Sequence, residues 1–432
     1  SVIEGGGTYV PRSTISQYVI TGGGNGYELQ NGEVFAQAKQ RTGQTGKAVL
    51  DATWFRLDGQ EKKRTDGYYY AFTSAENGTK IVVTRTDKNG FIEVSPAVNN
   101  ENYYLTYKAA LEAIRDHGEG IEYTITNHIE SVLSYTDAKV MKEITSARAT
   151  KLTFVSGERA DEDGMAGNRY RIRIDMSKDA NDTTEDLEST YGMGIFAPEG
   201  VDLEFDNVVF VKSLSGAGGT TDIDFYSQGD TLTFGEGCVF LEYVNGSSGM
   251  YEQITSLGTI YGGTAGKKMT ADAKIVLYSG RFNKIIADGT SSYVMTGNRT
   301  VVLIDNTNDR RPGYVGSSSK YAMLYVDSIY ASENYDFKYN KPAGNFVDVS
   351  IQSNSGEEFE APNIYYYDKL RLTGKIDMKT IQSDAQGNLS AGTTGGYAGE
   401  TVLKDGAVIR TAYTTKMGSL RGWMKEDDID PV

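Results

Sequence analysis

Hydrophobic positions recur along most of the chain as pairs of apolar residues two positions apart. An apolar spacing of two is typical of a strand that buries one face. These pairs are Leu152/Phe154, Ile172/Ile174, Leu203/Phe205, Leu232/Phe234, Ile275/Leu277, Val302/Ile304, Leu324/Val326, Val349/Ile351 and Leu370/Leu372. Most successive pairs lie 20 to 31 residues apart. The longer interval of 43 residues, from Leu232 to Ile275, predicts one further coil near Ile254.

One segment ahead of these repeats has the period of a helix. Residues 107–116 place Ala110, Leu111 and Ile114 on one face, and Gly118 follows as a stop signal. The next run, residues 122–126, alternates as a strand does. We therefore predict one short capping helix, over residues 107–117, at the start of the repeats.

The long period of the repeats favours a solenoid. A coil of twenty-odd residues cannot bury a core alone, whereas stacked coils complete one another and hydrogen-bond along the stack. Three repeats add a further inward aromatic residue, at Phe210, Phe240 and Phe282. We predict an all-β chain: a right-handed parallel β-helix with a small N-terminal β-sandwich-like domain and one short helix between them. An antiparallel sandwich or jelly roll, which also has short strands and glycine turns, is the alternative.

Four regions follow from this pattern: an arm over 1–30, the sandwich-like domain over 31–106, the β-helix over 107–380 and a β cap or tail over 381–432. The arm contains a strand-like stretch between two glycine triplets, with Thr14, Ile15, Tyr18, Val19 and Ile20 as candidate assembly residues. A strand held on glycine hinges can extend the sheet of a neighbouring molecule. A cap strand on its own domain is the alternative.

Parts of the chain resemble two families of surface proteins. Residues 254–263 and 273–287 resemble repeats of pectate-lyase-like surface proteins of Gram-positive anaerobes, which implies a right-handed β-helix over roughly residues 103–380. Residues 47–57, 86–92 and 102–105 resemble the prealbumin-like (Cna B-type) domain of pilins and collagen adhesins.

The second resemblance raises the question of an isopeptide bond. In that family a lysine of the first strand can join an asparagine of the last strand, and Lys47 occupies the place of this lysine. The acidic motif that the family carries after its Tyr-Tyr-Leu strand is missing here, because residues 106–108 run directly into the predicted helix. We therefore expect Lys47 to be an ordinary solvated lysine.

Composition narrows the classes of partner. The net charge of −15 repels nucleic-acid phosphates and anionic membranes, and no run of 18 apolar residues is long enough for a membrane span. The chain begins at Ser1 without a leader, so we expect one to have been removed or to precede it. The single cysteine, Cys238, excludes an intrachain disulfide framework and fits a bacterial exterior, as a small buried hydrophobe.

The residues offer no catalytic constellation. The two histidines, His117 and His128, precede the central coils, and His117 suits the end of the helix. Acidic clusters at 158–163, 179–186 and 305–309 match no calcium-loop template, so we expect solvated loops, with calcium as the alternative. We therefore predict a protein that is not an enzyme and has no cofactor.

These observations predict a secreted or surface-displayed structural protein. It would be a self-assembling filament subunit, joined by its N-terminal strand, or an adhesin stalk. Its partners would be copies of itself or cell-surface glycans, not nucleic acid or a membrane interior. A carbohydrate-binding or polysaccharide-lyase-like β-helix is the alternative, because tyrosine-rich faces can stack on sugars, and a trimeric phage tailspike comes third.

Overall fold

The computed structural model describes residues 92–158, 168–176, 194–212, 222–246, 249–264, 268–290, 295–306, 324–332, 347–354, 359–365, 369–378 and 381–382. Outside these ranges it describes the backbone of short strands near both ends of the chain. Almost all of the regular structure described is β-strand.

The strands and helices are numbered along the chain. The first part contains β1 (Val2–Gly5), β2 (Tyr18–Ile20), β3 (Gly32–Ala36), β4 (Phe55–Leu57), β5 (Tyr69–Ala75), β6 (Lys80–Thr86), β7 (Ile92–Val98), β8 (Glu101–Tyr104), α1 (Tyr107–His117), β9 (Ile121–Asn127), β10 (Ser131–Ser134), α2 (Tyr135–Lys142), β11 (Ala149–Ser156) and β12 (Arg171–Asp175). The middle contains β13 (Gly194–Phe196), β14 (Asp202–Asp206), β15 (Val209–Lys212), β16 (Asp224–Tyr226), β17 (Thr231–Phe234), β18 (Val239–Gly246), β19 (Gly249–Ile254), β20 (Leu257–Tyr261), β21 (Ala273–Leu277), β22 (Gly280–Ile286), β23 (Arg299–Asp305) and β24 (Leu324–Tyr330). The last part contains β25 (Val347–Ser353), β26 (Phe359–Ala361), β27 (Asn363–Tyr365), β28 (Lys369–Thr373), β29 (Lys375–Met378), β30 (Ile381–Gln382), β31 (Glu400–Leu403), β32 (Val408–Thr411), β33 (Thr415–Lys416) and β34 (Ser419–Gly422).

These elements form two compact units that alternate along the sequence. Unit 1 comprises Ser1–Asp182, Asn207–Thr221 and Val239–Thr255. Unit 2 comprises Thr183–Asp206, Asp222–Cys238 and Ser256–Val432.

Unit 1 contains mixed sheets. β10, β12, β15 and β18 follow one another in parallel, and β19 folds back on β18 as an antiparallel hairpin. β11 pairs in parallel with β9, and the hairpin β7–β8 continues that sheet in antiparallel fashion. Nearer the N-terminus, β1, β3, β6 and β5 form one sheet, and β2 and β4 form another.

Unit 2 is built from parallel sheets that each gain a strand as the chain advances. Sheet I has the order β13-β16-β20-β22-β24-β27-β30-β33, and sheet II has the order β14-β17-β21-β23-β25-β28-β31-β34. The chain alternates between them, because each strand of sheet I precedes one strand of sheet II. Sheet III has the order β26-β29-β32, and each of its strands precedes one of the last three strands of sheet I along the chain.

The core of sheet II consists of two columns of aligned apolar side chains. Each member lies opposite the equivalent residue of the next strand, and none is more than 1% exposed. The columns are Leu203, Leu232, Ile275, Val301, Val349 and Leu370, and Phe205, Phe234, Leu277, Leu303, Ile351 and Leu372. The registers of β31 and β34 extend them through Thr401 to Leu420 and through Leu403 to Gly422.

The prediction of an all-β chain dominated by parallel sheets is confirmed. Eight of the nine predicted apolar pairs are buried, and so are the three additional aromatic residues. The pair Val302/Ile304 is wrong by one residue, because β23 buries Val301 and Leu303 and turns Val302 and Ile304 outward. The run of apolar residues there has no alternation from which to choose the face.

Two further predictions are wrong. β17 pairs directly with β21, so no additional coil exists near Ile254, which instead ends the hairpin strand β19. The helix over 107–117 is confirmed, with Ala110, Leu111 and Ile114 fully buried, but a second helix, α2, follows it. The β-branched residues of α2, Thr136 and Val140, lower its helix propensity, and its clearest helix signal is the capping box of Ser134 and Asp137.

The predicted region boundaries stay predictions. β7 and β8 fall within the predicted sandwich-like domain, but β7 pairs with β9, and β8 pairs with β7, rather than with the front sheet. Lys47 lies outside the described residues.

Candidate functional site

The candidate assembly strand has a partner in its own chain. Tyr18, Val19 and Ile20 form β2, which pairs in parallel with Phe55, Arg56 and Leu57 of β4. This sheet has two strands among the described residues, so β2 has a second edge. Thr14 and Ile15 lie outside the described residues.

Sheets I, II and III of unit 2 end on strands late in the chain. β33, β34 and β32 are the last strands of sheets I, II and III among the described residues, and each is parallel to the strand before it. A terminal strand presents one row of backbone N–H and C=O groups that can template a further strand.

The edge in unit 1 has a different construction. β8 returns antiparallel to β7 through a turn at Asn99 and Asn100, both with positive φ, which asparagine tolerates better than most residues. Along β8 the side chains of Glu101 and Tyr103 are exposed. A short edge strand that carries a charge is a usual protection against further pairing.

Helix α1 packs against this hairpin and helix α2 packs against α1, and each helix begins at a capping side chain. The Thr106 hydroxyl accepts a hydrogen bond from the backbone N–H of Ala109 at 3.2 Å. At α2, Oδ2 of Asp137 accepts hydrogen bonds from the backbone N–H and the hydroxyl of Ser134, both at 2.6 Å. The Ser134 hydroxyl in turn accepts from the backbone N–H of Asp137, which completes a capping box.

Burial of Asp137 perturbs its ionisation. The residue is 5% exposed, and desolvation raises the pKa of its carboxyl group from 3.8 to about 6. The hydrogen bonds from Ser134 and the charge of Lys108 act in the opposite direction but do not cancel the desolvation.

The outer face of sheet I carries cations supported by tyrosine rings. The Arg281 guanidinium lies 4.5 Å from the centroid of the Tyr325 ring, and the Lys284 ammonium lies 5.4 Å from that of Tyr330. Exposed polar side chains accompany them, since Asn283 donates a hydrogen bond to Asp222 at 3.2 Å. Sequence reasoning missed these pairs because their partners lie more than forty residues apart and meet only through the register of β22 and β24.

The two histidines lie at the end of α1 and directly after β9. His117 lies in the last turn of α1, as predicted. His128 Nε2 lies 2.7 Å from Oε2 of Glu93 on β7, and both side chains are partly exposed. This pair joins the hairpin β7–β8 to the end of β9.

The other predicted features are partly described. Cys238 is buried at 1% exposure and its thiol donates to the carbonyl oxygen of Phe205 at 3.2 Å, as expected of a small buried residue. Of the acidic clusters, Glu158 and Asp305 are described, whereas 159–163, 179–186 and 307–309 lie outside the described residues. Within the described ranges no group of three His, Cys, Asp or Glu residues is arranged to hold a metal ion.

A buried ionic group lies between β22 and β23 in unit 2. Asp288 is fully buried, and its Oδ1 accepts hydrogen bonds from the backbone N–H groups of Gly289 and Met295. Arg299, also fully buried, has its Nε 4.0 Å from the same oxygen and donates from Nη2 to the carbonyl of Met295. Burial raises the pKa of Asp288, and Arg299 opposes that rise. The group ties a loop to the start of β23, so its arrangement is structural.

No described helix is long and apolar enough to cross a membrane. Comparison of the chain with protein families, with curated proteins and with solved structures finds no match.

Proposed function

We propose that the chain is an extracellular structural protein, a subunit of a surface filament or an adhesin stalk. Its repeats form a right-handed parallel β-helix, subunits join by addition of the N-terminal strand, and the protein is not an enzyme. The N-terminal region is a Cna B-type domain in this proposal.

The observation that supports this proposal is the strand order of sheets I and II in unit 2. Each further stretch of the chain adds one strand to sheet I and one to sheet II, always parallel to the strand before it. The two buried columns of sheet II continue through six strands without a break. Such stacking derives stability from neighbouring repeats rather than from one central core. This architecture suits a stiff, extensible scaffold, and the aromatic contacts of Phe234 with Phe205 and Phe282, at 5.1 and 4.7 Å, support its rigidity.

Electron microscopy and light scattering of the full chain, compared with a variant that lacks residues 1–30, test this proposal. Long regular particles that disappear on truncation are the expected result. Particles from neither protein would contradict the filament, and particles from both would contradict the role of the N-terminal strand.

A second candidate function, binding of cell-surface glycans, is favoured by the outer face of sheet I. A tyrosine offers an apolar ring and a hydroxyl that can hydrogen-bond, and here Tyr325 and Tyr330 lie beside the cations of Arg281 and Lys284. A polysaccharide-lyase activity would use the same face.

A glycan array probed with the full chain and with the variant Arg281→Ala tests this candidate. Loss of a specific signal in Arg281→Ala is expected if the face binds glycans. Lys274→Ala, which removes an exposed lysine of sheet II, is the matched control and should retain the signal. Equal signals from all three proteins, or none, would contradict the candidate.

A further inference from the structure

We infer that the terminal strand β34 of sheet II is the edge that receives strand β2 of a second copy of this chain. The inference rests on the proposed function, because it names the acceptor for the strand addition proposed there. The joint would continue sheet II from one copy into the next.

The register of β34 supports this assignment. Every strand of sheet II from β14 to β34 is parallel to its neighbour, and Leu420 and Gly422 hold the positions that continue the two buried columns. One more parallel strand therefore repeats an arrangement that the sheet already uses along its length. Among the described strands β34 pairs with β31 alone, so the backbone N–H and C=O groups of its other edge can pair with a further strand.

The sequence of β2 has the pattern that this position requires. Each strand of sheet II from β14 to β28 places apolar residues two positions apart into the buried columns, as Leu232 and Phe234 do. Tyr18 and Ile20 form a pair with the same spacing, with Val19 between them. Alignment of Ile20 with Gly422 would place an apolar residue opposite the one position in that column occupied by glycine.

One competing edge is β8 in unit 1, and its strand direction disfavours it. β8 runs antiparallel to β7, whereas β34 runs parallel to β31. Among the described strands β2 pairs with β4 alone, in parallel, so its second edge is the one offered to a partner in this inference. The addition of β2 to β34 would be parallel, as are the pairings of β2 with β4 and of β34 with β31.

Cross-linking between single-cysteine variants tests the joint. Cys238 is first replaced by serine, and Val19→Cys and Arg421→Cys are then made in separate full-length chains. The two chains are mixed and oxidised, and a disulfide-linked dimer of the two species is the expected product. Tyr103→Cys on β8 replaces Arg421→Cys in the matched control, and no dimer of the two species is expected there.

The outcomes separate this inference from the proposed function. Filaments seen by microscopy without the 19–421 cross-link, or with a 19–103 cross-link instead, would overturn the choice of β34 and leave the filament in place. A monomeric chain with no cross-link would overturn both. Filaments together with the 19–421 product alone would support both.

Discussion

Replacement of Asp137 by asparagine is expected to change how stability depends on pH. The carboxyl group of Asp137 is 5% exposed and has a pKa raised to about 6, chiefly by desolvation. The folded state therefore binds the proton more tightly than the unfolded chain, in which the ordinary value is 3.8. The resulting contribution to stability is fully present below pH 3.8 and is lost as the pH rises through about 6.

The expected magnitude follows from that difference. Between 3.8 and about 6 the linked free energy amounts to about 3 kcal/mol. The side-chain amide introduced by Asp137→Asn would keep an oxygen acceptor for Ser134 but would not ionise. The difference in unfolding free energy between Asp137→Asn and the wild type should therefore move in favour of the variant by most of this amount, about 2 kcal/mol, from pH 4 to pH 7. Any constant cost of burying the amide N–H groups leaves this change with pH unaltered.

Urea unfolding between pH 4 and pH 8 measures the difference, and hydrogen exchange of peptides covering residues 131–145 locates it at α2. Asp116→Asn is the control, because Asp116 is exposed and its pKa is lowered by Arg115. That variant should show no comparable gain as the pH rises. A difference between Asp137→Asn and the wild type that stays constant from pH 4 to pH 7 would refute the assigned role of desolvation.

Four further substitutions in unit 2 make three tests of its packing, each by urea unfolding. Phe234→Ala should lower the unfolding free energy by about 3–5 kcal/mol, because the ring is fully buried among other aromatic rings; a loss below about 1 kcal/mol would contradict this packing. Val301→Asp should prevent folding, because Val301 is buried, whereas Val302→Asp should be tolerated. If Val302→Asp prevented folding and Val301→Asp did not, the buried face predicted from the sequence would be the right one. Gly374→Ala should cost more than about 1 kcal/mol, since φ is +86° and a Cβ would overlap the carbonyl oxygen of Ser353, whereas a neutral result would contradict that geometry.

Local sequence is enough to identify nine of the strands and the buried face of eight of them. A spacing of two between apolar residues is a local consequence of the pleat, so pairs such as Leu232/Phe234 and Val349/Ile351 were identified without knowledge of their partners. The helix α1 was also locally determined, because its apolar face and its stop at Gly118 both lie within a dozen residues. Where alternation was absent, as in the run around Val302, the local signal did not choose a face.

Which strands become neighbours depends instead on the fold as a whole. The excess residues between Leu232 and Ile275 form a hairpin rather than a coil, because β17 pairs directly with β21 and that choice depends on contacts across more than forty residues. The cations of Arg281 and Lys284 meet tyrosine rings for the same reason, since the register of β22 against β24 sets each pair. Side-chain alternation is written into each strand, whereas register and strand order are set by the packing of the whole sheet.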